Sequence, residues 1–162
     1  MAIGTLQAKS KNGASGSYTR LEYVPTSEID AYLRIVDDSG FFGGVLNLKS
    51  FGQWRTMPIV RGSNRSWSLD EKQGKSGTIH TTRATGTLMG GGEPSDMRVL
   101  RDMKEAKHLF RLTLTDGRVL LFADYEFPAT FSFKVDGKEQ KNELRRVSFT
   151  FEAQSPNEIC QL

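Results

Sequence analysis

A mainly β domain of the α+β class, built as a β-sandwich or open barrel with one packed α-helix, is the fold that this sequence predicts. Three observations predict it. Residues alternate apolar and polar over short stretches, at 29–36, 130–135 and 144–153, which is strand spacing. Asp116-Gly117 lies between two apolar runs, the strongest short-range hairpin signal. Only residues 94–108 carry a clear helical stripe. Many strands around a single helix imply sheet layers with the helix packed against them.

The first twenty residues are small and polar, as in Lys9-Ser10-Lys11-Asn12-Gly13. Such a stretch offers little to bury, so residues 1–20 are expected to be a flexible arm and residues 21–162 a single domain. In Ile29–Val36, Ile29, Ala31, Leu33 and Ile35 share one face. Asp37-Asp38-Ser39-Gly40 is a turn, and residues 45–48 make a second strand. Residues 54–60 read as a third, which Pro58 confines to an edge or a bulge.

The stretch from Gly77 to Leu88 is threonine-rich and alternates without a strongly apolar face. It is expected to be either a solvated ribbon or a surface that another subunit covers. Gly90-Gly91-Gly92 is a hinge before the helix. Met97, Leu100 and Met103 set the stripe, widened by Val99 and Ala106. Glu93 and Asp96 near its start, with Lys104, Lys107 and His108 near its end, match the helix dipole. Residues 109–115 and 118–124 flank the Asp-Gly turn. In the last two strands Phe131, Phe133 and Val135, then Val147, Phe149 and Phe151, point inward, and the two are expected to pair.

The totals fit a globular chain, with 162 residues, 37% apolar and 25% charged. That length can bury a core without disulfides or metals. The net charge of +3, from 22 basic and 19 acidic residues, permits an anionic partner without demanding one. The single cysteine, Cys160, makes no internal disulfide and fits a reducing compartment. The first twenty residues lack the apolar segment of a signal peptide, and polar residues interrupt every apolar stretch. The expectation is a chain made in the cytoplasm that does not insert into a membrane.

Chemistry-bearing patterns are scarce. Neither His80 nor His108 has a Cys, Asp or Glu at metal-ligand spacing. Cys160 sits near the chain end without an evident base, and no serine occupies a nucleophile elbow. Gly74-Lys75-Ser76 lacks the upstream glycine of a phosphate loop and reads as a turn. Asp37-Asp38 beside Gly40 has ordinary turn composition. The chain is therefore expected not to be an enzyme and to use no cofactor or metal. Trp54, Arg55, Arg61, Arg65 and Trp67 mix aromatic and basic residues, so the alternative is an OB-like module for single-stranded nucleic acid.

From about residue 66 onward, the order of features resembles tail protein U of contractile phage tails and the wider tail-tube-fold family. The resemblance rests on three stretches: the threonine-rich strand running into Gly90-Gly91-Gly92-Glu93-Pro94 and the helix; the hairpin around Asp116-Gly117; and the ending Phe131-Ser132-Phe133-Lys134-Val135-Asp136-Gly137, followed by Arg145-Arg146-Val147-Ser148-Phe149-Thr150-Phe151-Glu152. It implies a tail-tube-like β domain without catalytic residues. It implies a structural subunit of a phage tail tube or baseplate, or of a related contractile injection machine. Such a subunit is a homo-oligomer in a six-fold ring, made in the host cytoplasm and carried in the virion tail. Its partners are other tube or baseplate proteins and the genomic DNA or tape-measure protein that passes through the channel. On this resemblance the threonine-rich strand closes the ring by pairing with a neighbour's sheet edge. The interface residues would be Thr78, His80, Thr82, Arg83, Thr85, Leu88 and Met89.

Overall fold

The structure, a computed structural model, describes residues 14–36, 42–60, 65–75, 77–88, 94–123, 125–136, 146–156 and 160–161. In chain order it forms β1 (Ala14–Gly16), β2 (Tyr18–Pro25), a 3-10 turn (Thr26–Glu28), β3 (Ile29–Val36), β4 (Phe42–Leu48) and β5 (Arg55–Thr56). Then come β6 (Ser66–Gly74), β7 (Gly77–Leu88), α1 (Pro94–Glu105), β8 (His108–Leu114), β9 (Val119–Phe122), β10 (Thr130–Asp136), β11 (Arg146–Ser155) and β12 (Cys160–Gln161). The protein is mainly β, with one α-helix among the described residues. A first sheet has the order β1-β6-β7-β11-β10, and a second the order β3-β4-β12-β9-β8-β2-β5. The turns at Asp37–Gly40 and Gly90–Gly92 lie outside the described residues.

An aromatic cluster joins the two sheets. Phe151 of β11 packs on Phe110 of β8 at 5.3 Å between ring centres and on Tyr23 of β2 at 5.8 Å. Its neighbours in its own sheet are Phe131 at 5.0 Å and Phe149 at 6.0 Å. Phe110 stacks on Phe122 at 5.1 Å. As the alternation predicts, β10 and β11 pair directly, Phe131 with Phe151 and Phe133 with Phe149.

Such large rings need small residues on the strand beside them, and β7, which pairs with β11 in the same sheet, supplies them. His80, Thr82, Ala84, Gly86 and Leu88 form its buried face. A Cβ on Gly86 would lie 2.9 Å from the Phe149 ring and from the Tyr18 hydroxyl oxygen. The expectation of a ribbon or intersubunit strand is therefore corrected: β7 is a central strand, with β6 on one side and β11 on the other. It looks polar because small side chains, rather than apolar ones, are what the aromatic layer leaves room for.

Two corners bind the layers by main-chain bonds. His108 and Ala129 exchange hydrogen bonds of 3.1 and 2.7 Å, so the chain entering β10 passes from the second sheet to the first. Ile59 bridges to Leu88, and the Val60 amide donates to the Thr87 carbonyl at 3.0 Å. The result is an open, corner-joined sandwich rather than a closed barrel. As Pro58 suggests, β5 is only two residues long and ends its sheet.

The flexible-arm boundary at residue 20 also needs correction. Ala14–Gly16 pair with β6, and Tyr18 is buried in the core with its hydroxyl donating to the Thr85 carbonyl at 2.7 Å. Burial raises the Tyr18 phenol pKa well above its usual range, against a smaller opposing pull from Arg65, so the hydroxyl stays a donor. A large aromatic with a satisfied polar tip outweighs the ordering cost of the strand around it.

The helix ends at Glu105, short of the expected 108. Leu100 and Met103 are buried and Met97 is half-buried, but Val99 is 54% exposed and does not widen the stripe. His108 belongs to β8 instead. Its Nε2–H donates to the Met103 carbonyl at 2.8 Å, tying the last turn of α1 to the sheet corner, while its Nδ1 is buried without a partner. The ring stands edge-on to Tyr23 and Phe151.

A second cluster lies on the opposite face of the second sheet. Val24, Leu109 and Leu121 pack there with Ile29, flanked by Tyr32, Leu46, Leu48 and Trp54. Part of this sheet is thus covered on both faces.

Gly86→Ala is expected to destabilise the protein by about 1–3 kcal/mol, because the methyl group overpacks against Phe149; urea titration measures this. Burial also pushes the His108 imidazole below its ordinary range, opposed by the Met103 carbonyl and reinforced by Arg55. The folded state then binds this proton less readily than the unfolded chain. His108 supports the fold fully above the ordinary value of 6.5, and that contribution is lost as pH falls below it. The melting temperature is expected to fall between about pH 7 and pH 5, less steeply in His108→Gln, which keeps a donor for Met103 and cannot titrate in this range.

Candidate assembly face

The registers place side chains from four strands in rows on the outer face of the first sheet. Ser66, Thr85, Thr150 and Ser132 lie side by side across β6, β7, β11 and β10. The next row is Ser68, Arg83, Glu152 and Thr130. Asp70, Thr81 and Gln154 flank these rows on one side, and Thr87, Ser148 and Lys134 on the other. At about 4.8 Å between strands, the face is roughly 14 Å wide. All of these residues are exposed or half-buried.

The rows are cross-linked. The Ser66 and Thr85 hydroxyls lie 2.8 Å apart. Arg83 donates to one Glu152 carboxylate oxygen from Nε at 3.1 Å and from a terminal nitrogen at 2.9 Å. The Thr130 hydroxyl donates to the Glu152 carbonyl at 3.3 Å. The face therefore presents hydroxyls and charges of both signs, with Arg83 and Glu152 paired.

The seven expected interface residues divide between two faces. Arg83 and Thr85 belong to these outer rows. His80, Thr82 and Leu88 are buried on the inner face, and Thr78 is half-buried on the same side of the strand. Met89 lies outside the described residues. Between His80 and Thr85 the main chain of β7 is paired on both sides, so the strand cannot add to a neighbour's sheet there. The ends of the sheet fall elsewhere. Strand β10 terminates one side. On the other, β1 pairs with residues 67–69 of β6, and residues 70–74 continue beyond it. Beyond Ser155, the last β11 residue in register with β7, the ends of β6 and β7 pair only with each other among the described residues, with Lys72, Gln73 and Ile79 exposed.

The alternation identified the outward residues Ser148, Thr150 and Glu152 strand by strand. It could not join them to Arg83 and Thr85, because that needs the strand order. The alternation did not single out Ser66 and Ser68, since in β6 it is short: only Trp67 and Leu69 alternate with polar residues before the polar run at 70–74.

Several of the residues weighed for chemistry make contacts within the fold, while Arg61 and Asp37-Asp38 lie outside the described residues. Trp67 packs against Phe122, with ring centres 5.8 Å apart. Trp54 holds the Arg111 guanidinium 4.2 Å above its ring, while Arg111 also pairs with the buried Glu22 at 2.9 Å. Arg55 bonds the buried Glu28 at 2.8 Å. Neither tryptophan is a free stacking platform for a base. His80 Nδ1 lies 3.5 Å from the Glu71 carboxylate, and Cys160 sits opposite Leu121 in β12. Among the described residues no group of three or more His, Cys, Asp or Glu could hold a metal ion, and no helix is long and apolar enough to cross a membrane. No family model, curated protein or solved structure matches the chain.

The Arg83–Glu152 pair is half-exposed, so its coupling is expected to be only about 0.2–1 kcal/mol in a double-mutant cycle of Arg83→Ala and Glu152→Ala followed by chemical denaturation. A larger value would mean that the rows stabilise the fold rather than form a solvated surface.

Proposed function

We propose that this protein is a structural ring subunit of a phage tail tube or baseplate, or of a related contractile injection machine. The first sheet carries the reading: among the described residues no strand pairs with the outer edge of β10 or with residues 70–74 of β6 on the β1 side, and the sheet has one hydroxyl-rich face four strands wide. In this reading the ring closes by pairing β10 of one copy with residues 70–74 of β6 in the next. The contact is heterologous, with different edges on the two partners, as a closed ring requires. Main-chain bonds supply the affinity, and the neighbouring side chains set the register.

Six copies contributing four strands each would make a barrel of about twenty-four strands, roughly 115 Å around before strand tilt widens it. That is wide enough for a DNA duplex or a tape-measure protein. The outer rows would line the channel. Hydroxyls and an internally paired Arg83 present no continuous basic track, so phosphates would pass without the tight hold that a row of free cations gives. The packed positions of Trp54 and Trp67 weigh against the nucleic-acid-binding alternative. Stacking binders need exposed rings.

Light scattering of the purified chain at micromolar concentration is expected to report a ring-sized particle. Ser132→Glu adds an acid to β10 opposite the acidic Asp70 and Glu71 of the neighbour's β6, and is expected to return the protein to monomer without lowering its melting temperature. A wild-type monomer that binds single-stranded DNA with a steep salt dependence would favour the alternative instead.

A further inference from the structure

The turn between β8 and β9 carries a reactive linkage, Asp116-Gly117. An aspartate before a glycine is open to attack on its own carboxyl carbon, because glycine has no side chain to shield its amide nitrogen. In that reaction the Gly117 nitrogen bonds to Cγ of the protonated Asp116 carboxyl. The amide proton and the carboxyl hydroxyl leave together as water, and a cyclic succinimide remains. Water then opens the ring at either carbonyl. Opening at the main-chain carbonyl of residue 116 leaves an isoaspartyl linkage, in which the backbone runs through the former side chain. Nothing in the fold covers this turn: Asp116, Gly117 and Arg118 are exposed, and a Cβ at Gly117 would meet no atom within 4 Å.

Both reacting groups are nevertheless tied. The Gly117 amide donates to the Leu114 carbonyl at 3.0 Å. One carboxylate oxygen of Asp116 accepts from the Arg118 amide at 3.0 Å, and the other from Arg118 Nε at 2.7 Å. We infer that Arg118 guards the Asp116-Gly117 linkage against isomerisation by holding both carboxylate oxygens away from the chemistry of ring closure. The same bonds, the amide's first, hold the carboxyl below its usual range and so in the ionised form, which has no hydroxyl to lose. The guard matters beyond the turn. An isoaspartyl linkage adds a carbon to the backbone of the loop, and loop length fixes hairpin register. Here that register sets Leu112 opposite Leu120 and Phe110 opposite Phe122, whose rings stack at 5.1 Å in the core. Arg118 is thus a positioning residue for a chemical lifetime, and the inference is independent of ring formation.

Ageing of the full-length protein at neutral pH and 37 °C tests it. After proteolysis, the aspartyl and isoaspartyl forms of the peptide spanning residues 116 and 117 are equal in mass and separate by chromatography. Folded Arg118→Ala is expected to accumulate the isoaspartyl form ~2- to 5-fold faster than folded wild type, the range set by loss of an exposed ion pair. Folded wild type is expected to age at least ~10-fold more slowly than wild type unfolded in urea. In urea the two proteins are expected to age equally, which assigns the difference to the folded turn. Arg118→Gln, which keeps the stem and lacks the charge, replaces Arg118→Ala if that variant does not fold. Equal ageing of folded wild type and the folded variant would overturn the inference. So would a difference that persists undiminished in urea, because it would belong to the local sequence, or a wild type that ages as fast folded as unfolded.

Discussion

The packing of Phe151 against the small face of β7 is the constraint on which the rest of this fold depends. Phe151 touches rings from both sheets, and its register partner in β7 is Ala84. Two residue pairs further along, Phe149 lies over Gly86. Protein interiors are close-packed, so an aromatic layer of this thickness must be matched by a layer with almost no side-chain volume. That requirement leaves the middle of β7, at positions 82, 84 and 86, with threonine, alanine and glycine facing inward. The outward positions are then free to carry hydroxyls and charge. The character of the candidate assembly face thus follows indirectly from the size of the rings beneath it.

Much of the fold is legible in the sequence where one side of a strand is dry and the other wet. Strands β10 and β11 alternate cleanly because their outer face meets solvent. The Asp116-Gly117 turn is legible for a local reason: Gly117 has φ of +88°, and the Asp116 carboxylate accepts from the Arg118 amide and side chain. Those bonds also hold the Asp116 carboxyl below its usual range. Strand β2 was hidden because Leu21, Glu22, Tyr23 and Val24 are all buried, so the period of two disappears. Within this run Val24 belongs to the second cluster, and Leu21 and Tyr23 to the aromatic core. Strand β7 failed in the opposite way, since a small inward residue reads as polar or neutral. The candidate face was legible only in fragments, because its rows depend on neighbours distant in sequence.

Charge inside the second sheet is arranged to avoid an isolated ion. Glu22 is 8% exposed, yet both its oxygens meet Arg111, and Arg20 lies 3.4 Å away. Trp54 closes over the Arg111 guanidinium on its other side. Glu28 is treated similarly, with an arginine and a backbone amide. Arg55, one of the basic residues that look available for a polyanion in the sequence, is thus committed to a carboxylate within the fold, and Arg65 donates to the Thr19 carbonyl at 3.0 Å. A buried carboxylate needs such partners more than a solvated arginine does.

The pairing of β2 with β8 has a consequence for how the chain is made. Glu22 lies opposite Arg111, so a strand near the beginning must wait for a partner 89 residues later. At a synthesis rate of roughly 5–20 residues per second, that wait lasts on the order of 5–20 s. Until then Leu21, Tyr23 and Val24 have only the two-residue β5 to pair beside, although they will be buried on opposite faces of a sheet. The β6–β7 and β3–β4 hairpins can close locally in microseconds once their residues emerge. Local hairpins can therefore form on the ribosome before β2 meets β8, whereas β7 and β10 complete their pairing only once β11 emerges. A nascent chain in that interval is the form of this protein most exposed to aggregation and most in need of a chaperone.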